Sequence, residues 1–279
     1  MIRPIAILVG LGFSIVVLLA FVTGAYTWAT EEAQHTAEHE FHLAPEGPAG
    51  GFAHDGPVGT WDVAQLQRGY QVYKEVCSAC HGLKNVAIRD LAGIGYSEGQ
   101  IKAEAASYQV PGINPDTGEA TFRPGLPTDY FPSPYPNAVA AAAANNNAVP
   151  PDLSLMTKAR HHGPEYVYSL LTGYGPVPAE LTEEFPDFET PTGLHFNRYF
   201  PNLNLAMAPP LTDNQVTYAD GTPATVDQMA QDVSAFLAWT AEPESDARKN
   251  MGFATLIFLL FGTILSYLAY QNVWAGRKH

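Results

Sequence analysis

Only two cysteines occur in the 279 residues of this chain, and both lie in Val76-Cys77-Ser78-Ala79-Cys80-His81-Gly82. Two thiols three positions apart stand on neighbouring turns of a short helix, where both can bond the vinyl groups of one porphyrin. The imidazole that follows then meets the iron. A redox disulfide also uses Cys-x-x-Cys, but the strand and helix pattern that flanks it in thioredoxin-like folds is missing, and a zinc site needs a second ligand pair. The spacing therefore assigns a covalent c-type haem to Cys77, Cys80 and His81. No other feature constrains the fold as much, because the chain must pack around a flat macrocycle and has no cysteine left for a disulfide.

Both ends of the chain are apolar. Residues 2–29 contain Arg3 as their only charge and are long enough to cross a bilayer as a helix. A signal peptide has an apolar centre of about 7 to 15 residues and an A-x-A-like exit. This run is about twice that length and ends in Thr27-Trp28-Ala29, so a retained anchor is favoured over a cleaved segment. Near the other end, Met251 to Trp274 makes a helix of about 36 Å, enough to span with some tilt, followed by Arg277 and Lys278. Between them, residues 31–246 hold all 28 acidic side chains against nine Lys and Arg, a net charge of −19. Such a body argues against nucleic acid and for a basic partner or simple solubility.

Residues 30–60 are rich in Gly, Pro, Glu and His and read as an acidic tether or surface wrap, with His35, His39 and His42 as solvated linker residues rather than a metal site. From Trp61 the apolar positions Val63, Leu66, Gly69, Tyr70 and Tyr73 recur at helical steps. A cap at Thr60 or Asp62 would start this helix, which delivers Cys77 to the haem. Residues 82–137 read as loops with short helices, one near Glu98 to Tyr108, and Arg123 to Asn137 as an extended Pro-aromatic path. Further helices are expected at Ala138 onward, stopping at Asn145-Asn146-Asn147, at Pro164 to Gly173, and at Val226 to Leu237.

The sixth iron ligand must be a Met, a His or nothing. Met1 and Met251 lie in the apolar ends, and Met229 lies on the apolar face of a helix. Met207, in a segment stiffened by Pro209 and Pro210, is the leading candidate. Met156, in a less enclosed setting, and His161 and His162 remain open.

Several longer motifs then narrow the reading. VCSACHGLKNVAIRDL, RPGLPTDYFPSPYPN, ANNNAVPPDLS, SLLTGYG, FNRYFPNLNLAMAPPL, DGTPAT and FLAWTAEPESDARKNMG together resemble the cytochrome c1 family, the haem c subunit of the ubiquinol–cytochrome c oxidoreductase (bc1) complex, over Trp61 to His279. The resemblance implies thioether bonds at Cys77 and Cys80, axial ligands at His81 and Met207, and haem propionate contacts at Arg123 and Tyr130. It implies one covalent haem c carrying one electron at a time, with cytochrome b, the Rieske iron–sulfur protein, a cytochrome c acceptor and membrane lipid as partners. It also implies a bacterial inner membrane with the haem domain in the periplasm and the C-terminus in the cytoplasm. Many family members have glycine at the position of Asn147, and asparagine tolerates the positive φ that glycine would supply there.

The expected fold is mostly α: a cytochrome-c-like haem domain with long loops, a C-terminal transmembrane helix and an N-terminal one. The expected divisions are 1–29 anchor or signal segment, 30–60 linker, 61–247 haem domain and 248–279 anchor. The chain would be an electron-transfer subunit rather than an enzyme on its own. Without the resemblance, the same motif on a tethered domain would equally suit a haem sensor or the cytochrome subunit of another periplasmic oxidoreductase.

Overall fold

A computed structural model describes residues 2–30 and 35–277, which fall into one unit up to Glu40 and a second from Phe41 onward. The first unit holds α1 (Ile2–Thr30) and most of a short α2 (Ala37–Phe41). Every side chain of α1 from Arg3 onward is exposed, and its most apolar window has a mean hydropathy of 3.0, so it is long and apolar enough to cross a membrane.

In the second unit α3 (Val63–Glu75) leads through a 3-10 turn at Cys77–Ala79 and a 3-10 helix at Ile88–Ile94 to α4 (Glu98–Ala106) and an antiparallel hairpin, β1 (Gln109–Ile113) and β2 (Ala120–Pro124). Four short helices follow, α5 (Ala138–Ala144), α6 (Met156–Ala159), α7 (Gly163–Thr172) and α8 (Ala179–Glu184). A two-residue ladder of β3 (His195–Phe196) and β4 (Asn204–Leu205) then precedes α9 (Val226–Ala241) and α10 (Ser245–Trp274). The fold is the mostly helical one expected.

The centre of the unit is the crossing of α3 and α9. Asp62 starts α3, its Oδ1 accepting from the backbone N–H groups of Ala64 (3.0 Å) and Gln65 (3.2 Å). Thr225 caps α9 in the same way, accepting from Gln228 N at 3.1 Å. At the crossing Gly69 has no side chain to spare: a Cβ there would lie 2.0 Å from the carbonyl oxygen of Asp232. Beside it the fully buried Asp232 accepts from Arg68 Nε (3.0 Å), Arg68 Nη2 (3.2 Å) and Gln228 Nε2 (2.9 Å), so its charge is paired where water cannot reach. Tyr70, Tyr73, Phe131, Phe236 and Trp239 pack around these contacts at ring separations of 5.6 to 6.3 Å.

Residues from Phe41 to Trp61 lie on this core. Leu43 N donates to Arg198 O (2.8 Å), Glu46 exchanges two hydrogen bonds with the Ser169 hydroxyl, and Phe52 is buried. The end of the stretch grips the start of α10. Lys249 Nζ donates to the carbonyls of His54 (2.7 Å) and Gly59 (2.8 Å), and Trp61 N donates to Asp246 Oδ2 (3.1 Å). The helix therefore begins at Ser245, earlier than the apolar run at Met251 suggests, because its polar first turns are tied to the domain. Beyond Met251 its side chains are exposed, with a mean hydropathy of 2.0 in its most apolar window.

Two local expectations are corrected. The 109–124 stretch, read as loop, is a hairpin whose register places Pro111 opposite Phe122; proline disguises it, yet an edge strand tolerates one. Met156, expected in a less enclosed setting, is buried in the core because the single turn of α6 packs on α7 and α9.

Candidate haem-attachment site

The Cys-x-x-Cys loop is shaped by its own backbone. As α3 ends, the Cys77 carbonyl accepts from both Cys80 N (3.1 Å) and His81 N (2.9 Å), closing a tight turn that sets the two thiols and the imidazole on one short element. Cys77 and Cys80 are free thiols, each half-buried. Burial pushes the Cys77 thiol up to about 12, with Cys80 adding in the same direction. The Tyr135 hydroxyl lies 3.8 Å from Cys80 Sγ.

His81 is held by a neighbouring segment. Its Nδ1 lies 2.7 Å from the carbonyl oxygen of Pro151; a carbonyl only accepts, so Nδ1 carries the proton and Nε2 keeps its lone pair. Burial lowers the pKa of this imidazole against the opposing pull of the Pro151 bond and Asp152. It is therefore neutral near pH 7, the form a metal requires. The Pro151 segment is in turn laced to the residues after the motif. Leu153 N donates to Gly82 O (2.9 Å), Lys84 N to Asp152 Oδ2 (2.8 Å) and Asn85 N to the buried Ser154 Oγ (3.0 Å). From below, Tyr73 OH donates to the carbonyl of His81 at 3.0 Å.

Met207 is half-buried, two residues beyond β4, and its carbonyl accepts from Tyr174 OH at 3.0 Å. Of the alternative ligands, Met156 lies in the core and His161 and His162 are exposed. Met229 is completely enclosed, as its helical face predicts.

Arg123 is engaged by a carboxylate. Its Nη1 and Nη2 donate to Asp129 Oδ2 (2.6 Å) and Oδ1 (2.8 Å), a fork that pulls the Asp129 carboxyl down to about 2. Tyr130 pairs with Ala87 through the backbone and leaves its ring more than half exposed. The structure thus sets Arg123 near the end of β2 and Tyr130 in the loop that follows, which is joined through Ala87 to the stretch after the Cys-x-x-Cys motif.

These residues fit a covalent haem. Two unbonded thiols and a neutral imidazole with a free Nε2 are the donors it needs. In the chain around the Tyr130 and Pro151 segments, Leu126, Tyr130, Val149 and Leu155 are between 46% and 56% exposed. Among the described residues no cluster of three His, Cys, Asp or Glu could hold a separate metal ion, and His42 instead places Nε2 3.2 Å from the Tyr199 carbonyl. Sequence reasoning missed Pro151, Tyr174, Tyr135 and Ser154. The first acts through a backbone carbonyl, which any residue type supplies, and no spacing rule links the other three to the motif.

Known proteins carry the same pattern along most of the chain. The Cytochrome C1 family matches residues 52–277. Cytochrome c1 of Rhodospirillum rubrum is 49% identical over 233 residues, covering 80% of this chain and 86% of that protein. The mitochondrial cytochrome c1 heme protein of Saccharomyces cerevisiae is 46% identical over 249 residues, covering 89% of this chain and 77% of the yeast one. A protein of Bradyrhizobium diazoefficiens named cytochrome b/c1 is 48% identical over 246 residues, 83% of this chain and 36% of its own length. With the family pattern spanning the haem motif, the Pro151 segment and the Met207 segment alike, the chain belongs to the cytochrome c1 family.

Proposed function

We propose that this chain is the membrane-anchored haem c subunit of a quinol–cytochrome c reductase, passing single electrons from the Rieske iron–sulfur protein to a soluble or tethered cytochrome c beside cytochrome b. The observation that carries it is the His81 arrangement: an imidazole pinned through Nδ1 to the Pro151 carbonyl, next to two free thiols, in a chain of this family. Bound haem supplies an iron that gains and loses one electron. The chain's own residues do the rest. Cys77 and Cys80 would hold the haem through thioether bonds, and His81 and Met207 would bind its iron. Arg123 and Tyr130 would pair its propionates, with Asp129 orienting the guanidinium. No residue of the site needs to move a proton or break a bond, so the chain is an electron-transfer subunit and not a catalyst alone.

We divide the chain into anchor 1–29, linker 30–60 whose part from Phe41 packs on the domain, haem domain 61–247 and anchor 248–279. The haem domain faces the periplasm from a bacterial inner membrane. The Arg3 end of α1 and the Arg277 end of α10 share the cytoplasmic side, the basic-residue bias expected of inner loops. Three measurements test the reading. Purification in mild detergent should bring down a cytochrome b and an iron–sulfur protein; isolation with a dehydrogenase or a terminal oxidase instead refutes the assignment. Met207→Leu should abolish the near-infrared thioether-to-iron absorption. The intact mass should include residues 1–29, and a species beginning near Thr30 would refute the second anchor.

A further inference from the structure

The path that carries Met207 is almost free of internal support. Among the described residues, the hydrogen bond from Tyr174 OH to the Met207 carbonyl (3.0 Å) is the one hydrogen bond between Ala206 and Pro210. Pro209 and Pro210 have no N–H to offer, and the β3–β4 ladder ends at Leu205. Tyr174 itself is fixed at the opposite end of the same hairpin. Its backbone pairs with Asn197, which is completely buried and donates from Nδ2 to Leu170 O at 2.7 Å. The preceding Gly173 is in such close contact that a Cβ would lie 2.4 Å from Tyr199 Cδ2 and 3.0 Å from Asn197 Oδ1. One tyrosine therefore grips the hairpin twice, by its backbone just past β3 and by its hydroxyl where the chain leaves the ladder.

We infer that Tyr174 is a positioning residue for the axial methionine: its hydroxyl fixes the Met207 backbone and so holds the thioether at the iron against competing ligands. The inference rests on the reading of Met207 as the sixth ligand. A rigid loop loses little entropy when its side chain binds, whereas a loop released at Met207 must be ordered again each time the thioether returns. The hydrogen bond is thus expressed as occupancy of the sixth position.

The experiment uses the full-length, haem-loaded protein in detergent, as wild type, Tyr174→Phe and Met207→Leu. The oxidised forms are titrated with imidazole, and loss of the near-infrared thioether-to-iron absorption is followed. Tyr174→Phe keeps the ring and its packing and removes only the hydroxyl, so imidazole should displace the methionine at concentrations about two- to tenfold lower, the effect of one net hydrogen bond. A Tyr174→Phe protein with a lower melting temperature but an unchanged imidazole titration would make the tyrosine purely structural and overturn the inference while leaving Met207 as ligand. Absorption that survives in Met207→Leu would overturn both.

Discussion

Substituting Gly69 by Ala tests whether the α3–α9 crossing is as close as the structure has it. The added Cβ would lie 2.0 Å from the Asp232 carbonyl oxygen and 2.7 Å from both the Asp232 carbonyl carbon and Phe236 Cβ. None of these belongs to the end of a flexible side chain, so the two helices must separate by roughly 1 Å, a gap that forfeits a quarter to a half of the dispersion between facing atoms. Overpacking of this kind costs about 3 kcal/mol at its upper end. Alanine in place of glycine inside a helix returns about 1 kcal/mol. The net is a loss of about 2 kcal/mol, or a melting temperature lower by roughly 4–8 °C for a domain of this size. Gly99 in α4 supplies the control, because a Cβ there meets nothing within 4 Å, and Gly99→Ala should stabilise by about 0.5–1 kcal/mol. Thermal and urea denaturation of the haem-loaded protein, followed by circular dichroism, reads both. A Gly69→Ala protein that melts at or above wild type would refute the close crossing.

Three further outcomes are expected. The Arg123–Asp129 pair holds the Asp129 carboxyl near 2, so its stabilisation is complete above the ordinary aspartate range near 4 and is lost as pH falls through about 2; a carboxyl-carbon NMR titration of Asp129 with an ordinary midpoint would contradict the pair. Asn147 has φ 63°, so Asn147→Val should cost about 1–2 kcal/mol and Asn147→Gly should be near neutral, as chemical denaturation would show. The net charge of −19 over residues 31–246 should make electron transfer to a basic cytochrome c fall steeply with ionic strength in stopped-flow measurements; a flat dependence would reduce the acidity to a solubility device.

The parts of this fold that read correctly from sequence are those whose signal is local. The cap Asp62 precedes a helix whose apolar steps end at the haem motif, and α3 starts one residue later as that chemistry requires. The Asn145-Asn146-Asn147 stop works because asparagine accepts the left-handed conformation, which Asn146 and Asn147 both adopt. The apolar lengths of α1 and α10 were equally plain, although the true start of α10 was hidden in its polar first turns. Non-local pairings were not legible. Nothing in β1 alternates cleanly enough to announce a strand partner on the far side of a turn, and Met156 is carried inward by a single helical turn.

The site divides along the same line. Residues that make or break covalent chemistry with a cofactor must be particular types at particular spacing, so Cys77, Cys80 and His81 stand out in any reading of the chain. Residues that hold them in place act through geometry. His81 has one acceptor at Nδ1, which the Pro151 carbonyl supplies because Leu153, Asp152 and Ser154 bond the neighbouring backbone; the Met207 carbonyl has one donor, which Tyr174 supplies from beyond α7. Each of these supports comes from a segment far away in sequence, 70 residues in one case and 33 in the other. In the ligand set proposed above, His81 and Met207 would therefore be tied to different segments, His81 to the one around Pro151 and Met207 to the turn after α7. A change in either segment should alter the corresponding ligand bond without touching any residue that a motif search would mark.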